Sequence, residues 1–537
     1  MTSSLAPIGV RYAPKGMVCA PDHLASQAGL AMLRQGGSAC DAAIAANAVL
    51  AVTAQQACGL GGDLWAVVQP SPGQGVVALN ASGHAGSGAD PARLREQGHR
   101  SIPAVGHIAA VPIPGCVDGW LGMHERFGLL GISTVLEPAL TYAREGFPAS
   151  PSLALAARSV AHLPGASDYR VDGKPVVAGQ LVRRPGMARA LLALSTDGRD
   201  GHYLGEFGNG LLAIGNGEYH PDDLLRRQAE WVEPIRVDAW GHAIWSPPPG
   251  SQAYLALAGA WIAAGLDLPK DPDDPLWAHL LIEASRQAGH DRLEVLHEAA
   301  DGRLLVDPAR LQPRLDAIAL DRASKLGCPT ACGDTVAICA LDSHGQAVSL
   351  LQSNASGWGS GLILSELGIF LHNRGQGFSL QPAHPAEYGP GRRPPHTLSP
   401  VLVTDLGGNK ATMVLGTMGG DSQPQILLQL LARTLQLGQE PPEAMAAGRF
   451  VLKARNLDGA SHLGGFETWT SGGKVTVAVE GQAPLAWLDG LEQRGHKVTP
   501  KPAFSDEFGH AQLIVSSPDC YGGASDPRSD GAEAAGW

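Results

Sequence analysis

The 537-residue chain is predicted to fold as a layered α/β body with antiparallel sheets. Two observations indicate this: helical patterns fill much of the first three hundred residues, and a strand–turn–strand pattern begins at Thr335. Hydrophobic residues make up 44% and charged residues 17% of the chain, so a large packed core is possible.

The N-terminal part reads as two helices followed by a strand. Asp22 is a candidate N-cap for the first helix, which a glycine pair at 36–37 ends. The second helix, at about 41–52, is apolar on every side and should be buried. The Gly-rich loop 58–62 precedes a strand at 64–68, and we expect close backbone packing there rather than a phosphate site.

Helical periodicity dominates residues 116–300, with an extended Pro-rich interruption at 246–250. From Thr335 the pattern changes to a strand at 335–341, a turn at 342–345 and a partner strand at 347–352. Further strands are predicted near 362–371, 400–404, 411–416 and 511–516, with a helix at about 424–437.

Composition excludes several classes of function. The formal net charge is −12 and no basic run could follow a phosphate backbone, so we expect no nucleic-acid partner. The chain shows neither a signal peptide nor a run of about 18 apolar residues, which predicts a cytoplasmic protein with no membrane partner. Cys328 and Cys332 lack a second zinc-binding pair, and no His-x3-His pattern occurs, so we predict neither a metal nor another cofactor.

Thr335 stands where a turn-prone stretch meets a strand. Threonine is a weak nucleophile unless a base lies beside its hydroxyl. A threonine at a chain terminus carries such a base in its own α-amino group, with a pKa of about 7.7–8.0. Cleavage after Asp334 would create that terminus, although a threonine that opens a strand is also ordinary structure.

The motifs along the chain resemble those of the γ-glutamyltransferase family, in the same order and over nearly the whole length. They are Ala25-Ser-Gln-Ala-Gly29, Gly59-Leu-Gly-Gly62, Pro112-x-Pro-Gly-x-Val-x-Gly119, Asp334-Thr-Val-Ala-Ile338, Gly416-x-x-Gly-Gly420 and Ser525-Asp-Pro-Arg528. The resemblance implies a four-layer αββα N-terminal-nucleophile hydrolase fold with two stacked antiparallel sheets. It also implies self-cleavage into a large subunit, 1–334, and a small subunit, 335–537, which stay together and could dimerise further.

The resemblance assigns roles to four residues. Thr335 matches the nucleophile, and Ser353 matches a threonine that hydrogen-bonds the new terminal amine. Gly419 and Gly420 match the glycine pair whose N–H groups stabilise the oxyanion, although a tight turn explains the same residues.

The sequence departs from the family where γ-glutamyl enzymes hold the amino-acid end of the donor. Ser82 stands at the place of a carboxylate-binding Arg, and Gly377 at the place of an ammonium-binding Asp. Ala355 replaces an Asn, and His396 and Thr397 replace two Ser that touch the carboxylate. Charge-assisted hydrogen bonds contribute about 1.5–3 kcal/mol each, so glutathione is not the expected donor.

Arg374 offers a different charge in the same pocket, and His396 and Thr397 accompany it. We interpret these three residues as partners of a carboxylate on a smaller acyl group, with structural roles as the alternative for Arg374 and His396. The motifs are more similar to the oxamate amidohydrolase branch of the family than to its glutathione-cleaving members. That similarity implies an amide of an oxalyl-like acid as substrate.

Other functions stay open at this point. They are a C–C bond hydrolase that releases oxalate in alkylproline natural-product biosynthesis, a γ-glutamyl hydrolase or transferase, a cephalosporin-acylase-like or poly-glutamate-handling enzyme, and an uncut binding homologue without catalysis. Outside the pocket, Arg392 and Arg393 are interpreted as a solvated face, and Asp526 and Arg528 as stabilising the C-terminal strand.

Overall fold

The computed structural model describes residues 11–326, 334–454 and 475–537. The turn-prone stretch that contains Cys328 and Cys332 lies outside these residues. The helices, numbered in chain order, are α1 His23–Arg34, α2 Ala39–Thr53, α3 Pro91–Glu96, α4 Cys116–Phe127, α5 Ile132–Glu145, α6 Pro151–Val160, α7 Pro185–Tyr203, α8 Glu206–Gly215, α9 Pro221–Leu225, α10 Tyr254–Ala264, α11 Pro275–Gly289, α12 Arg292–Val295, α13 Gly302–Leu305, α14 Pro308–Asp316, α15 Gln423–Leu431, α16 Pro441–Ala446 and α17 Leu485–Gln493.

The strands are numbered in the same way. They are β1 Arg11–Ala13, β2 Met17–Ala20, β3 Asp63–Gln69, β4 Val77–Ala81, β5 Phe147–Pro148, β6 Arg170–Val171, β7 Lys174–Pro175, β8 Leu181–Val182, β9 Glu230–Val232, β10 Ile235–Ala239, β11 His242–Ser246, β12 Asp334–Leu341, β13 Ala347–Ala355, β14 Ile363–Leu364, β15 Ile369–Phe370, β16 Val401–Thr404, β17 Ala411–Thr417, β18 Phe450–Ala454, β19 Val475–Val479, β20 Val498–Pro500, β21 Ala511–Ser516, β22 Tyr521–Ser525 and β23 Glu533–Gly536.

Two seven-stranded antiparallel sheets organise the fold. Sheet 1 has the order β23-β2-β12-β13-β3-β4-β9, and sheet 2 has the order β1-β22-β21-β17-β16-β11-β10. Strand β12 shows how the layers form, because its side chains alternate between two cores. Ile338 and Ala340 join the core under α1 and α2, whereas Cys339 and Leu341 join the core between the sheets. A third core packs α10, α11 and α15 on sheet 2, which confirms the four-layer αββα arrangement.

The two sheets come close together at Gly416 on β17. A Cβ atom at this position would lie 2.8 Å from Leu351 Cδ1 and 3.3 Å from Ala337 Cβ in sheet 1. Ser349 Oγ bridges the same gap by donating to the Leu415 carbonyl at 2.9 Å. Glycine therefore permits a close approach that any side chain would obstruct.

Both N-terminal helices form as predicted. The Asp22 carboxylate accepts from the Leu24 N–H at 2.8 Å and caps α1. Ser38 and Asp41 form a reciprocal capping box at the start of α2, whose fifteen residues are all buried. The Gly-rich loop also packs closely, since a Cβ atom at Gly62 would lie 2.4 Å from the Ser353 carbonyl oxygen.

The prediction that helices dominate residues 116–300 is wrong for one stretch. Strands β9, β10 and β11 lie there: β9 and β10 are edge strands of the two sheets, and β11 lies next to β10. In β10 the buried residues Ile235, Val237 and Ala239 alternate with more exposed ones, a period of two that is only five residues long. This alternation is too short to stand out between long stretches of helical periodicity, so the sequence did not predict the strand. Among the described residues, no helix is long and apolar enough to cross a bilayer.

Candidate active site

Polar residues lie side by side at the ends of neighbouring strands of sheet 1. Ser353 on β13 pairs in register with Asp63, the first residue of β3. The pairing of β3 with β4 extends to Ala81, so Ser82 comes next on the far side of Asp63. Thr335 on β12 lies at a shift in the β12–β13 register, beside Ser353. Such irregularities redirect a side chain, and here the threonine hydroxyl turns toward its neighbour.

The hydroxyl of Thr335 lies within a chain of hydrogen bonds. It donates to Ser353 Oγ at 3.2 Å, and Ser353 Oγ also accepts from the Ala355 N–H at 2.8 Å. On the other side, Gln423 Nε2 donates to Thr335 Oγ1 at 3.5 Å. Thr335 is only 3% exposed, so this chain fixes the hydroxyl in a nearly dry environment. The structure thus brings together Thr335 and Ser353, as the sequence predicted, and adds Gln423.

Gly419 and Gly420 form the turn that leads into α15. Both have positive φ angles, +134° and +54°, and glycine adopts these at little cost. Their carbonyl groups are bonded, to the Ser422 N–H at 2.9 Å and to Gln252 Nε2 at 3.0 Å. Within the described part of the chain, neither of their N–H groups donates to a protein acceptor. Their role in binding an oxyanion stays a prediction.

Asp63 is the centre of the remaining polar groups. Arg374 Nε donates to its carboxylate at 2.7 Å, and Arg374 Nη1 donates to Thr397 Oγ1 at 2.9 Å. His372 Nδ1 and His396 Nε2 lie 3.2 Å and 2.9 Å from the same carboxylate. Arg374, His396 and Thr397, predicted together as substrate partners, are indeed neighbours. Asp63 joins them as a fourth member.

Electrostatics set the charge state of this group, which we call the Asp63 cluster: Asp63, His372, Arg374, His396 and Thr397. Burial alone would raise the pKa of Asp63, but Arg374 and the two histidines together hold it well below its ordinary value. Burial, reinforced by Arg374, lowers the pKa of His396 to about 4. The Leu398 N–H donates to His396 Nδ1 at 3.1 Å, so a neutral His396 carries its proton on Nε2, toward Asp63.

Ser82 has a partner that the sequence interpretation did not anticipate. Arg393 Nη1 donates to Ser82 Oγ and to Asn80 Oδ1, each at 3.1 Å. The interpretation of Arg393 as part of a solvated face is wrong, because its side chain is buried and also lies 3.4 Å from Glu230. A guanidinium thus occupies the neighbourhood of Ser82 although the strand itself carries none. Arg392 is partly exposed and bonds Glu298.

Asp63, Gln423 and Arg393 are the residues that sequence reasoning missed. Asp63 directly follows the Gly-rich loop, and Gln423 lies three residues after the Gly419–Gly420 turn. A polar residue so close to each glycine motif was the available signal. Elsewhere the expectation for the C-terminal region is confirmed, since Asp526 binds both Arg449 at 2.7 Å and Arg528 at 3.0 Å.

A second buried cluster lies outside this site. His279, Glu283 and His496 bring ligand-type atoms within 4.8 Å of one another. His279 Nδ1 is only 2.8 Å from His496 Nε2, whereas two nitrogens on one zinc ion lie roughly 3.3 Å apart. Arg286 Nη1 also donates to Glu283 at 3.0 Å. The described geometry is that of a hydrogen-bonded histidine pair rather than a metal centre.

Comparison with known proteins gives a consistent answer. The sequence model of the family described as gamma-glutamyltranspeptidase matches residues 25–536. The oxamate amidohydrolase proenzyme of Klebsiella pneumoniae subsp. pneumoniae is 35% identical over 97% of this chain and 98% of its own. The glutathione hydrolase-like YwrD proenzyme of Bacillus subtilis is 31% identical over 96% of this chain and 98% of its own.

A solved structure extends the likeness to the whole fold. The crystal structure of cephalosporin acylase from Bacillus halodurans superposes with a TM-score of 0.89 at 30% identity, over 100% of this chain and 98% of that one. The predicted fold, family and enzyme class are therefore confirmed. The chain belongs to the gamma-glutamyltranspeptidase family of N-terminal-nucleophile hydrolases.

Proposed function

We propose that the chain cuts itself between Asp334 and Thr335, and that Thr335 then hydrolyses the amide bond of a small acidic, oxalyl-like acyl substrate. The position of the Thr335 hydroxyl carries this proposal. It is buried between Ser353 and Gln423 at the start of a strand. The β12–β13 register shifts at this residue, so Thr335 is not part of the regular strand pairing.

Self-cleavage begins with attack of Thr335 Oγ1 on the carbonyl carbon of Asp334. The new C–O bond forms as the C–N bond to Thr335 breaks, so the peptide becomes an ester and the threonine nitrogen becomes an amine. Water then hydrolyses that ester, which leaves a carboxylate on Asp334 and restores the hydroxyl of Thr335. The same hydroxyl is then available beside its own base.

Turnover repeats the chemistry on an external amide. The α-amino group of Thr335 accepts the hydroxyl proton while Oγ1 attacks the amide carbon, and the N–H groups of Gly419 and Gly420 bind the oxygen that becomes negative. The proton passes to the leaving nitrogen, and an acyl ester on Thr335 remains. Water releases the acid, so that oxamate and water give oxalate and ammonia.

The Asp63 cluster supports an acidic acyl group. His372 Nε2 lies 2.8 Å from the Pro112 carbonyl and its Nδ1 faces Asp63, so both ring nitrogens meet acceptors. Arg374 brings a guanidinium to the same carboxylate, and its Nη1 donates to Thr397 Oγ1 at 2.9 Å. A guanidinium beside a hydroxyl is a pairing that suits a carboxylate, which favours an anionic acyl group next to Arg374 and Thr397. The 35% identical relative is named for oxamate, whose carboxylate adjoins the reacting amide.

A longer dicarboxylic acyl group is the second candidate. Arg393 stands beside Ser82, two strands away from Ser353, and neighbouring strands are about 4.8 Å apart. Thr335 lies one strand farther, so a carboxylate at Arg393 would lie roughly 14 Å across the sheet from the nucleophile, which is too far for an oxalyl group. A cephalosporin acylase with the same fold makes this alternative worth testing.

The test combines mass analysis with a substrate panel. The purified protein should separate into fragments of roughly 35 and 21 kDa, in proportion to the lengths 1–334 and 335–537 of the 55.7 kDa chain. Thr335→Ala should stay uncut and lose turnover of oxamate by a factor on the order of 10⁴–10⁶. Thr335→Ser, which keeps a hydroxyl, should still be cut.

The panel consists of oxamate, a glutaryl amide and γ-glutamyl-p-nitroanilide. We expect oxamate to be turned over fastest. Preference for the glutaryl amide would favour the longer acyl group, and full activity of an uncut Thr335→Ala protein would refute the proposed mechanism.

A further inference from the structure

Gln423 approaches the proposed nucleophile from the side opposite to Ser353. Its Nε2 lies 3.5 Å from Thr335 Oγ1, and its side chain is fully buried. The Ser399 N–H donates to Gln423 Oε1 at 2.9 Å, which fixes the direction of the amide. With Oε1 committed to that donor, the NH₂ group must face the threonine.

We infer that Gln423 is a positioning residue for Thr335, and that its amide directs the lone pairs and the proton of the threonine hydroxyl. The inference rests on the proposed function, since it assumes that Thr335 is the nucleophile. One hydroxyl has one proton and two lone pairs. When Gln423 donates to Oγ1, the hydroxyl's own proton points away from Gln423, toward Ser353 in the uncut chain and toward the freed amine afterwards.

The location of Gln423 explains how it can serve this role without strain. It is the first residue of α15, directly after the turn that holds Gly419 and Gly420. The backbone that presents the two N–H groups therefore also sets the place of the amide. Gln423 is therefore joined by only three peptide bonds to Gly420, so one short turn carries both the amide beside the attacking oxygen and the N–H groups proposed to receive the negative charge.

Helix α15 itself provides a matched control. Gln425 is also buried, and its Oε1 accepts from the Leu452 N–H at 2.8 Å, as Gln423 Oε1 accepts from Ser399. Glutamate at either position keeps an oxygen for the backbone donor and replaces the NH₂ group with a second oxygen. Only at position 423 does that change remove a donor from the Thr335 hydroxyl.

The experiment compares Q423E with Q425E, using the full-length protein. In Q423E we expect self-cleavage and kcat for oxamate to fall by about tenfold to a hundredfold, with KM within about threefold of wild type, because the lost bond acts on the attacking oxygen. Q425E should match wild type in both rates once corrected for folded protein. Their melting temperatures should be similar, since each retains its backbone hydrogen bond.

The outcomes separate this inference from the proposed function. Equal rates in Q423E and Q425E, with Thr335→Ala inactive, would overturn the role of Gln423 and leave the nucleophile in place. Full activity of Thr335→Ala would overturn the proposed function itself. If Q423E does not fold, Q423M provides the comparison, because it keeps the volume without the donor and should show the same loss of kcat; unchanged kcat in Q423M would contradict the inference.

Discussion

Replacing Asp63 by Asn would remove the negative charge on which Arg374, His372 and His396 converge. Asn has the same shape and can still accept a hydrogen bond, so the change acts mainly through charge. The side chains of Asp63 and Arg374 are 0% and 2% exposed, so water can screen neither of them. Breaking a buried ion pair by removing one partner costs about 3–5 kcal/mol, and we expect the free energy of unfolding of D63N to fall by that amount.

The pH dependence of this loss follows from the lowered pKa of Asp63. A carboxyl group with a depressed pKa in the folded state stabilises the fold above its unfolded pKa of about 3.9, and it loses that effect as the pH falls toward the folded pKa. The difference between wild type and D63N should therefore persist from pH 7 down to about pH 4 and shrink below it.

The assay is urea unfolding followed by circular dichroism, together with the rate of self-cleavage. D526N is the matched control, because Asp526 is equally buried and binds Arg449 and Arg528 far along the chain from the site. We expect both variants to be destabilised, but only D63N to be cut more slowly per folded molecule. A loss below about 1 kcal/mol in D63N would refute the view that charge holds the cluster together.

Three further predictions address the substrate, the pH response and the sheet packing. R374K should raise KM for oxamate at least about tenfold and spare self-cleavage, because lysine lacks the planar fork of arginine, whereas R449K should leave KM unchanged in steady-state assays. Burial lowers the pKa of His202 to about 3, so between pH 7 and 5 this imidazole gains a proton in the unfolded chain but not in the folded one. The free energy of unfolding should therefore fall by about 2 kcal/mol over that range. H202F should not show this loss in urea titrations. G416A should lose about 1–3 kcal/mol of unfolding free energy, because the added Cβ atom forces the sheets apart. G75A is the control and should unfold like wild type, since a Cβ atom there meets nothing within 4 Å. Equal unfolding free energies in the two variants would contradict the packing argument.

Local chemistry explains what the sequence could predict. The N-cap at Asp22, the uniformly apolar α2 and the strand–turn–strand of β12 and β13 each follow from neighbouring residues, and each formed as expected. Thr335 and Ser353 could be placed together because one hairpin connects them. Their catalytic roles remain predictions.

Long-range pairing explains what stayed hidden. Asp63 directly precedes the apolar run 64–68, and its partners Arg374 and His396 lie more than three hundred residues away, so no local pattern connects them. Arg393 stands in a Pro- and Gly-rich loop, whose composition suggests solvent exposure until the fold buries it against Ser82. Gln423 reads as an ordinary first helical residue. In each case the missing information was which segments, distant in sequence, the fold brings into contact.

The order of strands in the two sheets has a consequence for any chain cut at residue 334. In both sheets, strands from before and after that point alternate: β12 and β13 lie between β2 and β3, and β16 lies against β11. Neither fragment would contain all the strands of either sheet. Separating the fragments would leave rows of backbone N–H and C=O groups without hydrogen-bond partners. Such a nick would divide the covalent chain without creating separable modules, so the two pieces could part only by unfolding.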